Sequence, residues 1–295
     1  GMAYDETRGV VILHGGHSAR NETWEWNGDT RSWSMVADDG PNLGAFDIAY
    51  DPVRDVLVLS GGAYAREFGY CETWEWDHRS WKLVANEETS AIYPAMAYHP
   101  QRKTVIRHGG FFTEKYVSTP TTWEWDGHQW KSLPDGPSLS KHRMVYDSSR
   151  NKMVVFGGLK ELGVISNETW EFDGETWTKV AESGPEGRDH FGMVFDVGRG
   201  VTVLFGGGLI EEEGFKNSSF SDMWQWDGKV WTPIQTETPA DPDKNFGINM
   251  AYDARHLQTV LFGGSFGDGV NYRPNDTWLF TFQASGIPQS LWTLF

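Results

Sequence analysis

The chain has 295 residues and a formal net charge of −16 at pH 7, because its 41 acidic side chains outnumber its 25 basic ones. This charge repels a phosphate backbone and no basic stretch offsets it, so we expect no nucleic-acid partner. The single cysteine, Cys71, excludes an internal disulfide framework. No apolar run approaches the ~18 residues of a membrane span, so we expect no membrane segment. No charged-then-apolar leader opens the chain, and the compartment stays open.

One pattern recurs six times along the chain. The typical unit has an aromatic residue, usually followed by Asp, then an Arg four residues on, an apolar run, a Gly-Gly pair, a loop, a Trp-Glu-Trp segment and a further Trp. The last three units vary the Trp-Glu-Trp segment, at residues 170–172, 224–226 and 278–280, and in the sixth unit the Arg shifts to Arg255. The Gly-Gly pair always begins eleven residues after the aromatic, whereas successive aromatics are 46, 48, 48, 49 and 57 residues apart. The six aromatics are Tyr4, Tyr50, Tyr98, Tyr146, Phe195 and Tyr252. Constant spacing within units and variable spacing between them indicate a structural repeat with adjustable loops.

In chain order, each unit predicts four short strands. The first ends at the aromatic, as in residues 46–50, and the second is the apolar run before Gly-Gly, as in residues 201–205. The third is the Trp-Glu-Trp segment, which alternates with a period of two, and the fourth carries the last Trp. Turn signals such as Asp126-Gly127 separate the strands, and no window shows a helical period. In the first unit Met2 already occupies a strand position, so we expect either an unusual natural start or a chain cut from a longer one.

Six units of four antiparallel strands without helices predict an all-β fold, a six-bladed β-propeller with four strands per blade. We expect one domain over residues 1–295, because the repeat runs from end to end. Its blades are predicted at approximately 1–40, 41–88, 89–136, 137–184, 185–240 and 241–295. All sixteen tryptophans fall on repeat positions. Because residues two apart share one face of a strand, we expect them in layers between blades and not in a sugar-stacking stripe.

The repeat resembles the kelch repeat. The resemblance rests on the Gly-Gly pair after an apolar strand, on the Asn-Glu-Thr-Trp segment at residues 167–170 and on the trailing Trp177. It spans nearly the whole chain and implies a kelch-type propeller. Kelch propellers include partner-binding modules and a few enzymes, so the resemblance does not choose between these functions.

Residues that recur in most blades are interpreted as structural. The recurring Arg and the preceding Asp are expected to brace the first hairpin turn, and the Glu of Trp-Glu-Trp recurs likewise. The Gly-Gly pairs end strands and do not open helices, so we expect them to supply positive φ and close approach and not a phosphate site. The three Asn-x-Thr segments match the glycosylation acceptor pattern, but they belong to the repeat itself. His14 and His108, which precede Gly-Gly, are expected to be buried and satisfied and not to share a metal.

The loops between second and third strands vary in length, at 7, 11, 12, 11, 16 and 13 residues. They emerge on the same side as the blade-to-blade connections, which we name the loop face; the short hairpin turns form the opposite turn face. Specific recognition is expected on the loop face, where loops extend from a rigid scaffold. The candidate ligand-binding residues are the non-repeating polar and aromatic positions of this face and of the channel mouth: Asp47, Tyr93, Arg143, Arg188, His190, Asn249 and Arg273.

These residues favour a non-catalytic binding module that recognises a protein segment, a carbohydrate or another small molecule; no catalytic residue, metal or cofactor is assigned. The alternative is a small-molecule, sugar-directed enzyme. Galactose oxidase also has kelch blades, but the Tyr98-His99 and Tyr70-Cys71 pairs that echo its copper ligands are expected on opposite faces. Sialic-acid mutarotases are similar in architecture, and their polar channel-mouth chemistry would suit Arg143, Arg188 and His190.

Overall fold

The computed structural model describes residues 1–16, 21–63, 71–87, 92–112, 117–210, 217–235, 247–264, 276–282 and 290–294. These residues form six four-stranded antiparallel sheets, two two-stranded sheets and one short 3-10 turn, Glu161–Gly163. Arg273 lies outside the described residues. Within the described ranges, no helix is long and apolar enough to cross a membrane.

Each four-stranded sheet is one blade, with its strands paired in chain order. The first blade contains β1 (Met2–Asp5), β2 (Val10–His14), β3 (Thr23–Asn27) and β4 (Ser32–Ala37). The second contains β5 (Gly44–Asp51), β6 (Val56–Ala63), β7 (Cys71–Trp76) and β8 (Trp81–Glu87). The third contains β9 (Ala95–His99), β10 (Thr104–His108), β13 (Thr122–Trp125) and β14 (Trp130–Leu133).

The other three blades repeat the arrangement. The fourth contains β15 (Arg143–Asp147), β16 (Lys152–Phe156), β17 (Thr169–Phe172) and β18 (Trp177–Ala181). The fifth contains β19 (Gly192–Asp196), β20 (Val201–Phe205), β23 (Met223–Trp226) and β24 (Trp231–Ile234). The sixth contains β25 (Asn249–Asp253), β26 (Gln258–Phe262), β27 (Thr277–Phe282) and β28 (Ser290–Leu294). The two small sheets are β11 (Phe111–Phe112) with β12 (Val117–Ser118), and β21 (Gly208–Ile210) with β22 (Asn217–Ser219).

The first strands of the six blades surround a central channel. Each of them contacts the first strands of both neighbouring blades, and β25 of the sixth blade contacts β1 of the first. The six blades therefore form a closed ring, and the prediction of a six-bladed β-propeller is confirmed. Residues of all six first strands line a cavity of about 300 Å³ along the axis.

Tryptophans pack between adjacent blades, as the repeat predicts. Trp76 is fully buried and packs in one apolar cluster with Ile12 of the first blade and Ile48 of the second. The outer-strand tryptophans also donate hydrogen bonds to the preceding blade, for example from Trp81 Nε1 to Thr23 Oγ1 at 2.8 Å. A corresponding bond from Trp33 Nε1 to Thr277 Oγ1, at 2.7 Å, connects the first blade to the sixth. The same indole–threonine contact therefore stabilises the closure of the ring.

The recurring charged residues brace the turn face. Asp51 Oδ1 accepts the backbone N–H groups of residues 53 and 54, and its Oδ2 accepts from Arg54 Nε at 2.7 Å. The Arg54 guanidinium also binds Glu75, which accepts at 2.8 Å from Trp125 Nε1 of the next blade. The expectation that the arginines stabilise the first hairpin turn is confirmed, and the recurring glutamate also links neighbouring blades.

The Gly-Gly pairs adopt positive φ and meet backbone closely. Gly109 and Gly110 have φ of 66° and 115°. A Cβ atom on Gly109 would lie 2.3 Å from the carbonyl oxygen of Leu139, and Gly110 N donates to that oxygen at 2.8 Å. A side chain at Gly109 would therefore separate two blades, because Leu139 belongs to the connection into the fourth blade.

The expectation that Gly-Gly ends the second strand is confirmed in five blades and wrong in the second, and two blades contain more than the four strands expected. In the second blade β6 continues through Gly61 and Gly62 to Ala63 and pairs with the extended β5. The loops of the third and fifth blades contain the hairpins β11–β12 and β21–β22, which the sequence does not reveal. Strands of two or three residues are too short to show a period of two, so no alternation signals them.

His14 and His108 are buried, satisfied histidines, as expected. His108 Nδ1 lies 3.0 Å from Thr122 Oγ1, and its Nε2 lies 3.1 Å from the carbonyl oxygen of Pro137. His14 makes the same two contacts in the first blade. Burial lowers the pKa of His14 to about 4 and that of His108 to about 3. Each ring packs on an outer-strand tryptophan of the next blade, as Phe156 does at the same repeat position.

Candidate functional site

A ring of left-handed residues surrounds the channel on the loop face. Ala45, Tyr93, Lys141 and His190 have φ of 60°, 55°, 54° and 53°, and Gly247 has φ of 71°. We name these five residues the mouth ring; each lies two residues before the first-strand position at the channel mouth. Backbone hydrogen bonds connect Tyr93 N to Ala45 O at 2.7 Å, Lys141 N to Tyr93 O at 3.0 Å and Gly247 N to His190 O at 2.9 Å. Neighbouring blades are therefore joined along the ring.

Backbone pairing on both sides imposes the left-handed conformation. In the second to fifth blades the residue before the ring position pairs with the segment at or just after the Gly-Gly pair of the same blade, and the residues after the ring position enter the first strand. In the second blade Gly44 pairs with Ala63 and Phe46 with Gly61 in one continuous register, and Ala45, opposite Gly62, is left unpaired between them. Ile92, which precedes Tyr93, pairs with Phe111, and Asp189, which precedes His190, pairs with Gly208. The surrounding backbone thus holds each ring residue in a conformation that non-glycine residues avoid.

Three mouth-ring side chains converge. The ring centroids of Tyr93 and His190 are 6.1 Å apart in an edge-on arrangement. Lys141 Nζ lies 5.2 Å from the Tyr93 ring centroid and 3.8 Å from Asp189 Oδ2. Tyr93 is 37% exposed, and among the described residues it is the only exposed Phe, Tyr or Trp. The mouth ring therefore presents an aromatic surface, an ammonium group and an imidazole side by side.

Asp189 lies beneath this cluster. Its carboxylate is fully buried, and neither oxygen accepts a hydrogen bond from the described residues. Oδ1 lies 3.0 Å from His190 Nδ1, and Oδ2 faces Lys141. Burial and the charge of Asp189 raise the pKa of Tyr93 above its ordinary value, so its phenol remains protonated at neutral pH. A buried carboxylate without hydrogen bonds is rare in folded proteins and is a mark of functional sites.

Asp47 and Arg143, which we name the mouth pair, lie just inside the ring. Arg143 of the fourth blade approaches Asp47 of the second, and their Nη1 and Oδ1 atoms are 3.8 Å apart. The pair therefore spans the end of the third blade, which lies between them. Asp47 Oδ2 accepts the Met96 N–H at 2.8 Å, and Arg143 Nε donates to the Phe191 carbonyl at 3.0 Å. Burial raises the pKa of Asp47, and the charge of Arg143 opposes that rise. Both side chains are thereby anchored to the inner strands of neighbouring blades.

The structure brings together four of the seven candidate residues: Asp47, Tyr93, Arg143 and His190. Asn249 begins β25 and lines the same channel. Lys141 and Asp189 also belong to the site, but sequence reasoning did not select them. Lys141 is one of several loop-face cations, and only its offset of two residues from Arg143 distinguishes it. No sequence signal shows that Asp189 is buried behind it.

Arg188 occupies a different environment. It is fully buried, and its Nε, Nη1 and Nη2 donate to the Glu186 carbonyl, the Gly206 carbonyl and Asp222 Oδ2 at 3.0, 3.0 and 2.9 Å. Its guanidinium carbon lies 4.1 Å from the Phe220 ring centroid. All three guanidinium nitrogens are therefore engaged within the fifth blade, and we do not include Arg188 in the site.

One cluster of described residues has metal-ligating spacing, and it lies on the turn face: Asp5, Asp55 and His78. Asp5 Oδ2 already accepts from Arg8 Nε at 2.7 Å, so a guanidinium charge stands where a cation would bind. The residues that echo a copper site do not converge either. Cys71 Sγ is buried 2.9 Å from Arg107 Nη1, whereas His99 contacts Tyr146 at the turn-face end of the channel.

The fold and this site define a six-bladed β-propeller with a polar cluster at the loop-face mouth of its channel. A solved structure of YjhT is similar over 99% of this chain and 96% of that chain, with a TM-score of 0.78 and 14% sequence identity. At that identity the likeness shows the fold alone. No family model and no curated protein matches the chain.

Proposed function

We propose that the protein is a non-catalytic, kelch-type recognition propeller whose ligand binds at the mouth ring. Polar groups that converge around one aromatic side chain above a cavity are typical of sites for small polar molecules. The site therefore suits a small molecule or the end of a glycan better than an extended protein segment. The six in-register Gly-Gly and Trp motifs support the kelch assignment.

One observation carries this proposal: Tyr93, Lys141 and His190 retain large side chains in left-handed conformations. Each such residue costs about 1 kcal/mol relative to glycine. The scaffold accepts glycine at the same position in the sixth blade and alanine in the second. A large side chain is therefore unnecessary for the ring itself, and its presence at three adjacent positions supports a role in contact with a ligand.

A small-molecule binding screen tests the proposal. Ligands found by thermal shift are titrated calorimetrically against the wild type, Tyr93→Ala and Lys141→Ala. We expect each variant to weaken binding at least tenfold, because each removes a contact at the mouth. Lys229→Ala, in an exposed turn-face hairpin, is the matched control and should leave affinity unchanged. A ligand whose affinity is the same in all four proteins would contradict the proposed site.

A second candidate function rests on the contact between His190 Nδ1 and the buried Asp189 carboxylate, 3.0 Å apart. No hydrogen bond joins these two atoms in this geometry, but a small rotation of the ring would let the carboxylate accept from Nδ1–H and orient the imidazole for general acid–base catalysis. The protein would then be a sugar-directed enzyme, with His190 as the proton-transferring group. His190→Gln should then abolish turnover of a substrate found by activity screening while leaving its affinity within threefold of the wild type. Undiminished turnover in His190→Gln would exclude this candidate.

A further inference from the structure

The side-chain charges at the mouth are balanced couple by couple, and the Gly1 amino group near Asp47 adds none at neutral pH, because burial lowers its pKa to about 5. Lys141 Nζ lies 3.8 Å from Asp189 Oδ2, and Arg143 Nη1 lies 3.8 Å from Asp47 Oδ1. Both separations exceed the 2.7–3.2 Å of an N–H···O hydrogen bond. Each cation thus has a carboxylate close enough to neutralise its charge, yet neither couple closes into a hydrogen-bonded salt bridge.

This balance discriminates among ligand charges. A ligand carboxylate would gain from Lys141 and Arg143, but Asp189 and Asp47 repel it from nearly the same positions. A ligand ammonium would gain from Asp189 and Asp47, but Lys141 and Arg143 repel it. A hydroxyl group is both donor and acceptor, and an oxygen that makes two hydrogen bonds of about 2.8 Å at the tetrahedral angle spans atoms roughly 4.5 Å apart. It therefore bridges Asp47 and Arg143 once their 3.8 Å separation widens slightly, and it leaves the charge balance unchanged.

The exposed aromatic side chain adds an apolar contribution. Tyr93 offers its ring beside the couples, and its raised pKa keeps the phenol neutral. The C–H face of a cyclic polyol is flat and apolar, and it packs on such a ring while its hydroxyls point sideways to polar groups. Asp189 is itself too buried to touch a ligand, so it acts by neutralising Lys141 from behind.

We propose that the ligand is a neutral, hydroxyl-rich molecule of about the size of one or two pyranose rings. Its hydroxyls bridge Arg143 and Asp47 and accept from Lys141, and one face of it packs on Tyr93. This inference rests on the proposed function, since it names the chemical class of the ligand for the same mouth ring.

Matched sugars that differ only in charge test the inference. Methyl glycosides of glucose, glucuronate and glucosamine, and the corresponding galacto set, are titrated by saturation-transfer NMR and calorimetry. We expect the neutral member of at least one set to bind at least tenfold more tightly than its acidic and amino counterparts. A uronate or amino sugar that binds as tightly as the neutral one overturns the inference but leaves the recognition function intact. Failure of all six sugars overturns the ligand class, whereas failure of the wider screen as well overturns the function.

Charge variants provide a second readout. Asp47→Asn keeps an oxygen for the Met96 N–H but removes the negative charge, so we expect neutral-sugar affinity to fall at least fivefold. Asp189→Asn leaves Lys141 uncompensated and should raise uronate affinity at least fivefold. Because Asp189 is buried, its substitution could impair folding, so Lys141→Met is the companion variant. It leaves the charge of Asp189 uncompensated, and the ratio of amino-sugar affinity to uronate affinity should rise at least fivefold. An unchanged order of affinities in folded Lys141→Met overturns the inference.

Discussion

The strain at the mouth ring is measurable by comparing glycine and alanine at one position. In ordinary strand or helix positions, replacing alanine with glycine destabilises a protein by roughly 0.5–1 kcal/mol. At Tyr93, where φ is 55°, the order should reverse. Tyr93→Gly and Tyr93→Ala both delete the phenol ring, so the loss of side-chain contacts with Lys141 and His190 is common to them. The difference between the two variants therefore isolates the backbone conformation.

The magnitude follows from the conformation. A left-handed residue with a Cβ atom costs roughly 1–2 kcal/mol, and the greater freedom of glycine in the unfolded chain offsets part of that gain. We expect Tyr93→Gly to be about 1 kcal/mol more stable than Tyr93→Ala. For a protein of this length that corresponds to roughly 2 °C in melting temperature. Ala45→Gly should stabilise by a similar amount, because Ala45 has φ of 60° and no side chain beyond Cβ.

Scanning calorimetry of the four proteins at one pH and scan rate measures these differences. Ligand titration of the same samples separates strain from function: Ala45→Gly should keep wild-type affinity, whereas both Tyr93 variants should lose it. If Tyr93→Ala melts at the same temperature as Tyr93→Gly, or above it, the strain argument is refuted. The case for retained side chains at the mouth ring would then lose its basis.

Three further predictions concern the scaffold. Burial lowers the pKa of His108 to about 3, so the unfolded chain alone takes up this proton between pH 6.5 and 3. The free energy of unfolding that is present above pH 6.5 should therefore fall by about 4 kcal/mol over that window. Denaturant titrations should show a smaller fall in His108→Phe, and an equal fall would refute the lowered pKa of His108. The pKa of His256 is raised, chiefly by its hydrogen bond with Asp29, so its contribution is present below pH 6.5 and is lost as pH rises through the folded pKa. His256→Asn should therefore lose less stability above pH 6.5 than the wild type does, and melting curves from pH 6 to 9 measure this difference. Gly109→Ala should destabilise by roughly 3 kcal/mol or more, because its Cβ would lie 2.3 Å from the Leu139 carbonyl oxygen; a loss below about 1 kcal/mol would contradict that contact.

The fold was predictable because its determinants are repeated. A fourth-strand Trp such as Trp81 recurs in every unit, so one sequence repeats the signal for one packing contact six times. The site is built from residues that appear once, and its geometry depends on contacts that leave no periodic trace. Arg188 and His190 are both polar residues of the connection into the fifth blade, and the sequence does not distinguish them. In the structure Arg188 donates to Asp222 and to the Gly206 carbonyl inside that blade. Lys141 and Asp189 come together only through the left-handed turn that precedes each first strand.

The mouth ring carries large side chains on one side only. Its large side chains belong to the third, fourth and fifth blades, whereas the second carries Ala45 and the sixth Gly247. The two small hairpins, β11–β12 and β21–β22, belong to the third and fifth blades and pair with the chain just before Tyr93 and His190. An apolar cluster that includes a buried third-strand Trp or Phe lies between each two neighbouring blades, so local strain on one side of the mouth does not threaten ring closure. Because extra backbone support and strained side chains coincide on that side, we propose that the ligand lies mainly over the third to fifth blades and reaches Asp47 of the second blade at the channel mouth.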